Sequence, residues 1–368
     1  MRKIAIIGTN GLPAKYGGFE TLAHFLVTNL NAKSNQIVVY CSKTSKKNKI
    51  YSFKGAQLIY FPFRANGWQS IIYDFVTIIH AFFTATDLII LGFSGAFAFP
   101  LNRLFKKNII FNIGGIEWKK VRGTKYTSKI EVLIKKYMER ICIKYSNTVI
   151  IDNDHFKNYI SNTYKKEAVL AEYGGDHSKI IKPNNYQIKK YPFLKSNYFF
   201  SVSRAQEDMN IHIVIEAFKE INKQNIVIIS NWNISNYGKN LYQKYHNKFN
   251  NIILIDAIYD HNELDLLRSN CSLYIHSHSL CGTAPSLVEA MSLNLPVICY
   301  DVPTNRFTTE NKALYFKCAK SLIKIVEGLD IENQHEIEKN MLEIAKRRYT
   351  WSRISKIYER KLTKLNNL

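Results

Sequence analysis

Short apolar runs alternate with longer stretches of helical periodicity along this chain, and the alternation stops once and then restarts. Apolar runs bounded by turn residues are typical of buried strands, and repeated strand–helix units predict a parallel sheet with helices on its faces. The predicted strands of the first half are residues 3–7, 36–40, 57–61, 87–91, 108–112 and 149–151. Those of the second half are residues 198–202, 226–229, 252–255, 273–275 and 296–300. The pattern therefore predicts an α/β protein with two doubly wound parallel sheets.

The interruption is residues 178–197, a polar stretch rich in Lys and Asn and broken by Pro183 and Pro192. A chain of 368 residues is also long for a single compact core. We therefore expect Rossmann-like domains at residues 1–178 and 179–348, with the boundary in the polar stretch. Residues 349–368 predict a basic amphipathic helix, which either crosses back to the first domain or lies on a membrane.

The charge balance is strongly basic, with a net charge of +22. Such a balance favours a polyanion or an anionic membrane as a neighbour, although it is also compatible with a simple compositional bias. Lys and Arg recur from Lys106 to Lys144, with Trp118 and Tyr126 among them, a mixture that suits lipid headgroups. No helix-turn-helix, aromatic RNA-binding strand or zinc module accompanies them, so nucleic acid is not the expected partner.

The sequence predicts neither a signal peptide nor a membrane span. The first apolar run ends at Gly8, which indicates a strand and not a signal peptide. The longest apolar region, residues 71–93, contains Asp74, His80 and Asp87, which makes it too costly as a membrane span. The six cysteines show neither C-x-x-C nor zinc spacing and are expected to be reduced thiols. These features predict a cytoplasmic protein.

Residues 275–291 join a strand to a helix through a loop that holds Gly282 and Pro285. The loop lies at the carboxyl end of a strand, where α/β sheets bind ligands. Unpaired amides at the start of the helix, approached by a glycine, suit phosphate or sugar oxygens. The same junction is also ordinary α/β architecture.

Two further loops follow the first predicted strand of each half of the chain. Residues 8–19 contain Gly17 and Gly18, which allow close approach of a ligand, but the loop lacks the third glycine of the dinucleotide fingerprint, so a hydride-transferring enzyme is not expected. Arg204 follows the strand 198–202 and precedes a helix, a suitable place for a diphosphate clamp. Arg204 is equally able to pair with Glu207 or Asp208.

The tripeptide Asp152-Asn153-Asp154 looks like a D-x-D metal site. Spacing this short is common in polar loops, and a turn that caps the helix beginning near His155 explains it equally well. We therefore predict no metal site.

Several of these segments together resemble one family. They are Gly8 to Thr21, Gly115-Ile116-Glu117-Trp118-Lys119, Glu172-Tyr173-Gly174-Gly175-Asp176, Arg204 to Asp208, Gly282 to Ala290 and Tyr300 to Arg306. In this order they are similar to GT-B glycosyltransferases of the family 4 type, and in particular to the rhamnosyltransferase-like branch of bacterial polysaccharide (capsule and O-antigen) synthesis. The resemblance covers nearly the whole chain and implies two Rossmann-like domains that face each other across a cleft, the first on the acceptor side and the second on the donor side.

The resemblance also implies an activity. Such an enzyme transfers a sugar, here best matched by L-rhamnose from dTDP-rhamnose, to an undecaprenyl-diphosphate-linked glycan with retention at the anomeric carbon. It needs no metal or other cofactor and works on the cytoplasmic face of the inner membrane. Arg204 would neutralise the leaving diphosphate, and Glu289 would hold the ribose hydroxyls. Nucleotide-sugar contacts would come from Gly17, Gly18, Gly282, Thr283, Ala284, Pro285 and Ser286.

Three positions depart from the family pattern. Cys281 stands where the first of two glutamates is expected, Met209 stands where a lysine follows the phosphate arginine, and Gly114 stands where an aspartate precedes the Gly-x-Glu-Trp motif. Glu117 is then the nearest acidic residue for the reacting sugar, with a helix cap or an arginine partner as its structural alternative. The departures leave open a UDP-hexose donor, a GT-B protein that binds nucleotide-sugar or lipid without turnover, and a sugar-nucleotide epimerase.

Overall fold

The computed structural model describes residues 2–14, 17–30, 35–43, 49–116 and 129–363. The described residues form two compact units. The first unit contains residues 2–116, 129–172 and 351–363, and the second unit contains residues 173–350. The change between units thus falls just before the predicted boundary at residue 178.

The first unit is built on a sheet of eight strands in the order β3-β4-β2-β1-β5-β6-β7-β8, parallel except for the pair β3–β4. Its strands are β1 (Lys3–Ile7), β2 (Gln36–Ser42), β3 (Ser52–Phe53), β4 (Ala56–Phe61), β5 (Asp87–Leu91), β6 (Asn108–Asn112), β7 (Thr148–Ile151) and β8 (Ala168–Leu170). The helices that alternate with them are α1 (Gly18–Leu30), α2 (Gln69–Thr84), α3 (Asn102–Phe105), α4 (Lys129–Tyr145) and α5 (His155–Tyr164), and a 3₁₀ helix covers Ala96–Leu101.

The second unit is built on a six-stranded parallel sheet in the order β11-β10-β9-β12-β13-β14. Its strands are β9 (Tyr198–Val202), β10 (Asn225–Ser230), β11 (Ile252–Asp256), β12 (Leu273–His276), β13 (Val297–Tyr300) and β14 (Leu314–Phe316). Its helices are α6 (Asn185–Lys190), α7 (Ile211–Glu220), α8 (Asn236–Tyr245), α9 (His261–Ser269), α10 (Pro285–Ser292), α11 (Pro303–Thr308), α12 (Ala319–Glu327) and α13 (Ile331–Arg348).

The central strands of both sheets consist mostly of apolar residues. Every residue of β5 is buried, as are the four residues of β12. Helices cover both faces of a doubly wound sheet, so the side chains on both sides of a central strand leave water. This burial explains why continuous apolar runs, and not alternating ones, marked the strands in the sequence, and it confirms the predicted fold class.

The last described helix, α14 (Trp351–Thr363), belongs to the first unit. Its apolar face is buried, and the ring of Trp351 stacks on Phe25 of α1 with 4.5 Å between centroids. The Asn112 amide at the end of β6 donates to the hydroxyl of Tyr358 at 2.6 Å. The apolar face of the predicted basic amphipathic helix therefore packs on α1 and the first sheet.

The predicted boundary stretch, residues 178–197, lies within the second unit and contains α6, which begins with a capping box between Asn184 and Gln187.

Across the described ranges, no helix is both long and apolar enough to cross a membrane.

Candidate functional site

The topology of the second sheet defines one place for a ligand. Strand β9 pairs with β10 on one side and with β12 on the other, so the chain order reverses between β9 and β12. Loops that leave the carboxyl ends of two such strands run in opposite directions and open a crevice between them, which is where open α/β sheets bind ligands. The loops concerned are residues 203–210 after β9 and residues 277–284 after β12, and they contain Arg204 and the predicted glycine loop.

Hydrogen bonds join these two loops. The backbone N–H and the hydroxyl of Ser279 both donate to the carbonyl of Asp208 at 2.9 Å. The Ser277 hydroxyl donates to the carbonyl of Met209, and the Asn210 amide donates to the carbonyl of Ser277 at 2.9 Å. The loops form one connected surface, and Arg204 is exposed on it.

Two buried histidines, His276 and His278, lie at the end of β12 and in the loop that follows it. Their rings are 4.0 Å apart between centroids. Burial, together with the charge of Arg204, lowers the pKa of His278 to about 3, so the imidazole is neutral at physiological pH. Burial also lowers the pKa of His276. The neutral rings add no positive charge to that of Arg204.

Cys281 occupies the position where the family resemblance predicts a glutamate. Its Sγ lies 3.4 Å from Nδ1 of His278, and the side chain is only partly buried. A thiol is a weaker hydrogen-bonding group than a carboxylate and carries no charge when protonated. The loop after β12 is therefore less acidic at this position than the family pattern predicts.

The predicted glycine loop leads directly into α10. Ala284 has an extended backbone and Pro285 is the first helical residue, where the missing proline N–H costs no hydrogen bond. Gly282, Thr283 and Ala284 are buried, whereas Pro285 and Ser286 are partly exposed. The structure places these five predicted contacts at the start of one helix.

Glu289, one turn further along α10, is held by two basic side chains. Its Oε2 accepts from Arg268 of α9 at 2.8 Å, and its Oε1 lies 3.3 Å from Nε2 of His177. Burial alone would raise the pKa of Glu289, but Arg268 and His177 outweigh it and hold the pKa at about 2. Asp265 lies 3.3 Å from the other end of the Arg268 guanidinium and accepts from the backbone N–H of Lys179 at 3.0 Å. Glu289 is thus an ionised carboxylate in a fixed orientation.

The segment 172–176 positions His177. A side chain at Gly175 would begin 2.3 Å from the carbonyl of Val288, so only glycine allows the segment to approach α10 this closely. The Gly175 N–H donates to the carbonyl of Tyr349 at 2.8 Å. This packing brings His177 to Glu289.

Sequence reasoning missed three members of this network, namely Arg268, His177 and Asp265. The only available signal for His177 was its place directly after the Glu-Tyr-Gly-Gly-Asp motif. Arg268 follows Leu266 and Leu267 in α9 and is 1% exposed, which is unusual for arginine and indicates a specific partner.

The corresponding loop of the first unit carries Gly17 and Gly18. Gly17 has φ +111°, and a side chain there would begin 2.1 Å from Oε2 of Glu20. Gly18 is the first residue of α1 and is exposed. Glu20 itself accepts from the backbone N–H of Asn10 at 3.0 Å and from the Asn10 amide at 3.1 Å. Glu20 therefore holds the strand-end loop against the helix start.

The structure explains the glycine at position 114. Gly114 has φ +61°, and a Cβ built there lies 2.4 Å from the ring of Phe19. An aspartate at this position would be strained at this φ and would require the Phe19 ring to move, which explains why glycine suits it. Glu117, the predicted substitute, and Trp118 and Tyr126 lie outside the described residues.

The D-x-D tripeptide lies at the start of α5. The Asn153 side chain accepts from the backbone N–H of His155 at 3.1 Å, as expected of a turn that caps this helix. Within the described ranges, no group of three or more His, Cys, Asp or Glu side chains is arranged to hold a metal ion.

Comparison with protein families divides the chain in the same way. Residues 184–347 match the model of the glycosyl transferases group 1 family, and residues 1–176 match a domain of unknown function, DUF1972. An uncharacterized glycosyltransferase of Methanocaldococcus jannaschii is 27% identical over 196 residues, which are 48% of this chain and 44% of the relative. The chain thus spans less than half the length of that relative.

Solved structures match over the full length. Sucrose-phosphate synthase from Thermosynechococcus elongatus has a TM-score of 0.83 at 16% identity, with complete coverage of both chains. A glycosyltransferase from Rickettsia africae has a TM-score of 0.73 at 13% identity, with 99% of each chain covered. HepE from Anabaena, solved in complex with UDP, has a TM-score of 0.70 at 12% identity and covers 99% of this chain and 100% of its own.

The structural matches show the GT-B fold, and residues 184–347 are similar to the glycosyl transferases group 1 family. The second unit contains this stretch, and its switch-point loops carry Arg204 and lead into α10.

Proposed function

We propose that this protein transfers a sugar from a nucleoside diphosphate donor to a lipid-linked glycan, with retention at the anomeric carbon. The observation that carries the proposal is the connected surface at the switch point of the second sheet. There Arg204 is exposed and its charge acts on the neutral His278, whose loop leads into α10.

The proposed chemistry follows from charge. Departure of a nucleoside diphosphate builds negative charge on its β-phosphate, and fixed donors that already point at this position stabilise the transition state. Arg204 supplies a permanent cation with a planar donor array. The residues Gly282 to Ser286 supply backbone groups and the positive end of the α10 dipole.

Glu289 is proposed to accept hydroxyl groups of the nucleotide ribose. Arg268 and His177 occupy one direction on each oxygen, and a carboxylate has about four acceptor sites, so further hydrogen bonds are available. The same two partners keep the carboxylate ionised and oriented before the donor arrives. Gly17 and Gly18 of the first unit are proposed to approach the same phosphates, and Glu117 is proposed to contact the reacting sugar.

The proposed donor is dTDP-L-rhamnose, with a UDP-hexose as the alternative. Cys281 supports a deoxy sugar, because a thiol offers less to a sugar hydroxyl than the glutamate it replaces. The proposed acceptor is an undecaprenyl-diphosphate-linked glycan in cell-surface polysaccharide assembly, and the proposed location is the cytoplasmic face of the inner membrane. The net charge of +22 supports an anionic surface as partner. No metal is proposed for the reaction.

A donor panel tests the proposal. Purified protein is incubated with dTDP-rhamnose, UDP-glucose, UDP-galactose and UDP-N-acetylglucosamine, with and without an undecaprenyl-diphosphate-sugar acceptor and with EDTA or Mg²⁺. We expect release of one nucleoside diphosphate and equal transfer with EDTA and Mg²⁺. The sugar in the product should have the same anomeric configuration, α or β, as in the donor. Inversion of the anomeric centre would overturn the retaining assignment.

A GT-B protein that binds nucleotide-sugar without turnover is the second candidate. It is favoured by Cys281 in place of a glutamate and by Gly114 in place of an aspartate. Calorimetric binding of one donor with no transfer and no hydrolysis across the panel would select this candidate.

A further inference from the structure

Large apolar side chains stand exposed on one helical layer of the first unit. Leu104 is 79% exposed, Ile130 69% and Leu133 66%. The others of this layer are Ile71, Ile72, Phe75, Phe83, Phe97, Leu101, Ile134 and Tyr137. Single exposed apolar residues are normal on a protein surface, but a patch of this extent marks an interaction site. We call these residues the apolar surface.

The helices that carry the apolar surface pack side by side. Phe105 of α3 stacks on Phe82 of α2 with 4.9 Å between ring centroids. The guanidinium of Arg103 lies 5.0 Å from the ring of Tyr145 in α4. Met138 of α4 is buried in the same core as Phe99 of the 3₁₀ helix. The exposed residues therefore lie on one continuous layer and not on separate parts of the unit.

Helix α4 shows the arrangement most clearly. Its residues Ile130, Leu133, Ile134 and Tyr137 follow helical spacing and are all exposed, whereas Met138 and Cys142 are buried on the opposite side. A helix with apolar residues on both its inner and its outer side needs an apolar neighbour on each. The described part of the chain supplies only the inner one.

The charges that border the exposed side of α4 are basic. Lys129, Lys136, Arg140 and Lys144 are exposed. Among the acids of the helix, Glu131 pairs with Lys135 at 2.6 Å, and Glu139 is fully buried and accepts from Tyr164 at 2.6 Å. Arg103 and Lys106 of the neighbouring segment are also exposed.

We propose that the apolar surface inserts into the interface of an anionic lipid bilayer. Apolar side chains enter the boundary between headgroups and acyl chains, while bordering Lys and Arg contact the anionic headgroups. A second copy of this chain fits less well, because it would bring the same cations face to face. The inference rests on the proposed function, since it names the surface by which the enzyme reaches a lipid-linked acceptor. It adds apolar insertion to the purely ionic attraction that composition suggests.

Vesicle flotation tests the proposal with the full chain and the variant Leu133→Glu/Ile134→Glu. Vesicles contain phosphatidylcholine with 30% phosphatidylglycerol, and the bound fraction is measured from 50 mM to 500 mM NaCl. We expect the wild type to retain binding at high salt and the double variant to lose at least about tenfold in partitioning at all salt concentrations. Lys136→Gln/Arg140→Gln should weaken binding mainly at low salt, because salt screens exposed charges.

The matched control is Tyr186→Glu/Ile331→Glu, which places two acids at apolar residues of the second unit that are each 74% exposed. This variant should float like the wild type. Circular dichroism of each variant verifies folding. Equal flotation of Leu133→Glu/Ile134→Glu and wild type would overturn the inference. So would a wild-type dimer, seen by light scattering, that the double variant breaks without a change in flotation.

A separate assay keeps the two proposals apart. Donor hydrolysis in the absence of vesicles needs no membrane and should be unchanged in Leu133→Glu/Ile134→Glu. Hydrolysis without flotation would reject the membrane surface and leave the proposed function intact. Flotation without turnover of any donor would reject the proposed function and leave the membrane surface intact.

Discussion

Two buried carboxyl groups, one in each unit, have opposite protonation states. Asp74 of α2 is 5% exposed, and its Oδ1 has no hydrogen-bond partner in the described part of the chain. Burial raises its pKa to about 8. The side chain of Glu289 is 13% exposed, but Arg268 and His177 overcome its burial and hold its pKa at about 2. At neutral pH Asp74 is mostly protonated and Glu289 is ionised.

The difference shows how the two units use charge. Burial of similar depth neutralises a carboxyl that lacks a cation and fixes the charge of one that has two basic neighbours. In the second unit Glu289 therefore stays ionised although it is buried. In the first unit the buried Asp74 is mostly neutral, and exposed cations border the apolar surface.

Breaking the Glu289 pair should give the largest effect. Glu289→Ala leaves Arg268 buried with only Asp265 for compensation, and we expect a loss of about 3–5 kcal/mol in unfolding free energy together with loss of turnover. The stabilisation from Glu289 is present above its unfolded pKa of 4.5 and disappears as the pH falls towards about 2. Urea denaturation between pH 3 and pH 7 measures both effects. Glu343→Ala, which removes an exposed glutamate of α13, is the control. Equal stability of the two variants at pH 7 would contradict the pairing.

Removing the exposed cation should leave stability intact and lower activity. Arg204→Ala takes away a group that we expect to act on the leaving diphosphate, so kcat should fall by about 10²–10³. Steady-state kinetics with the donor identified in the panel measures this. Arg347→Ala, which removes an exposed arginine paired with Glu310, should keep wild-type turnover. A change confined to KM would show that Arg204 binds the ground state only.

Asp74 should give a smaller effect of opposite pH sign. Because its folded pKa is raised, the native state binds more protons than the unfolded state between about pH 4 and pH 8. Its contribution to stability therefore decreases with rising pH, by about 2 kcal/mol from pH 6 to pH 7.5. Asp74→Asn should remove that slope in urea denaturation. A wild-type slope in this variant would assign the pH dependence to other groups.

The smallest effect is expected at the D-x-D tripeptide. Asp152→Asn should leave turnover within about twofold of the wild type, because the turn geometry at Asn153 accounts for the sequence without a metal. Turnover assays with EDTA and Mg²⁺ check this. Metal dependence that vanishes in Asp152→Asn would establish a metal site.

Much of the fold was predictable because parallel strands are apolar on both faces. Strands β5 and β6 have the predicted bounds, residues 87–91 and 108–112. The sequence did not predict β3 and β14, which have two and three residues and lie at the sheet edges. An edge strand this short carries too few apolar residues to form a pattern.

Only those features of the site that follow from the strand order were predictable. Arg204 and Gly282 follow two adjacent parallel strands, so their meeting at one edge follows from the strand order. The pair of Arg268 and Glu289 depends on how α9 packs against α10, and no local pattern encodes that contact. The collision of Phe19 with a side chain at position 114 likewise joins two loops distant in sequence. The roles of the predicted site residues stay predictions.

The position of α14 has a consequence for synthesis. A ribosome that makes this chain must produce residues 173–350 before it reaches Trp351, yet α14 belongs to the first unit. Until then Phe25 lacks its stacking partner and Asn112 lacks the Tyr358 hydroxyl. The unit translated first is therefore the one completed last. Ribosome-bound chains that stop before residue 351 should expose Phe25 of α1 to chaperones while the second unit is still emerging.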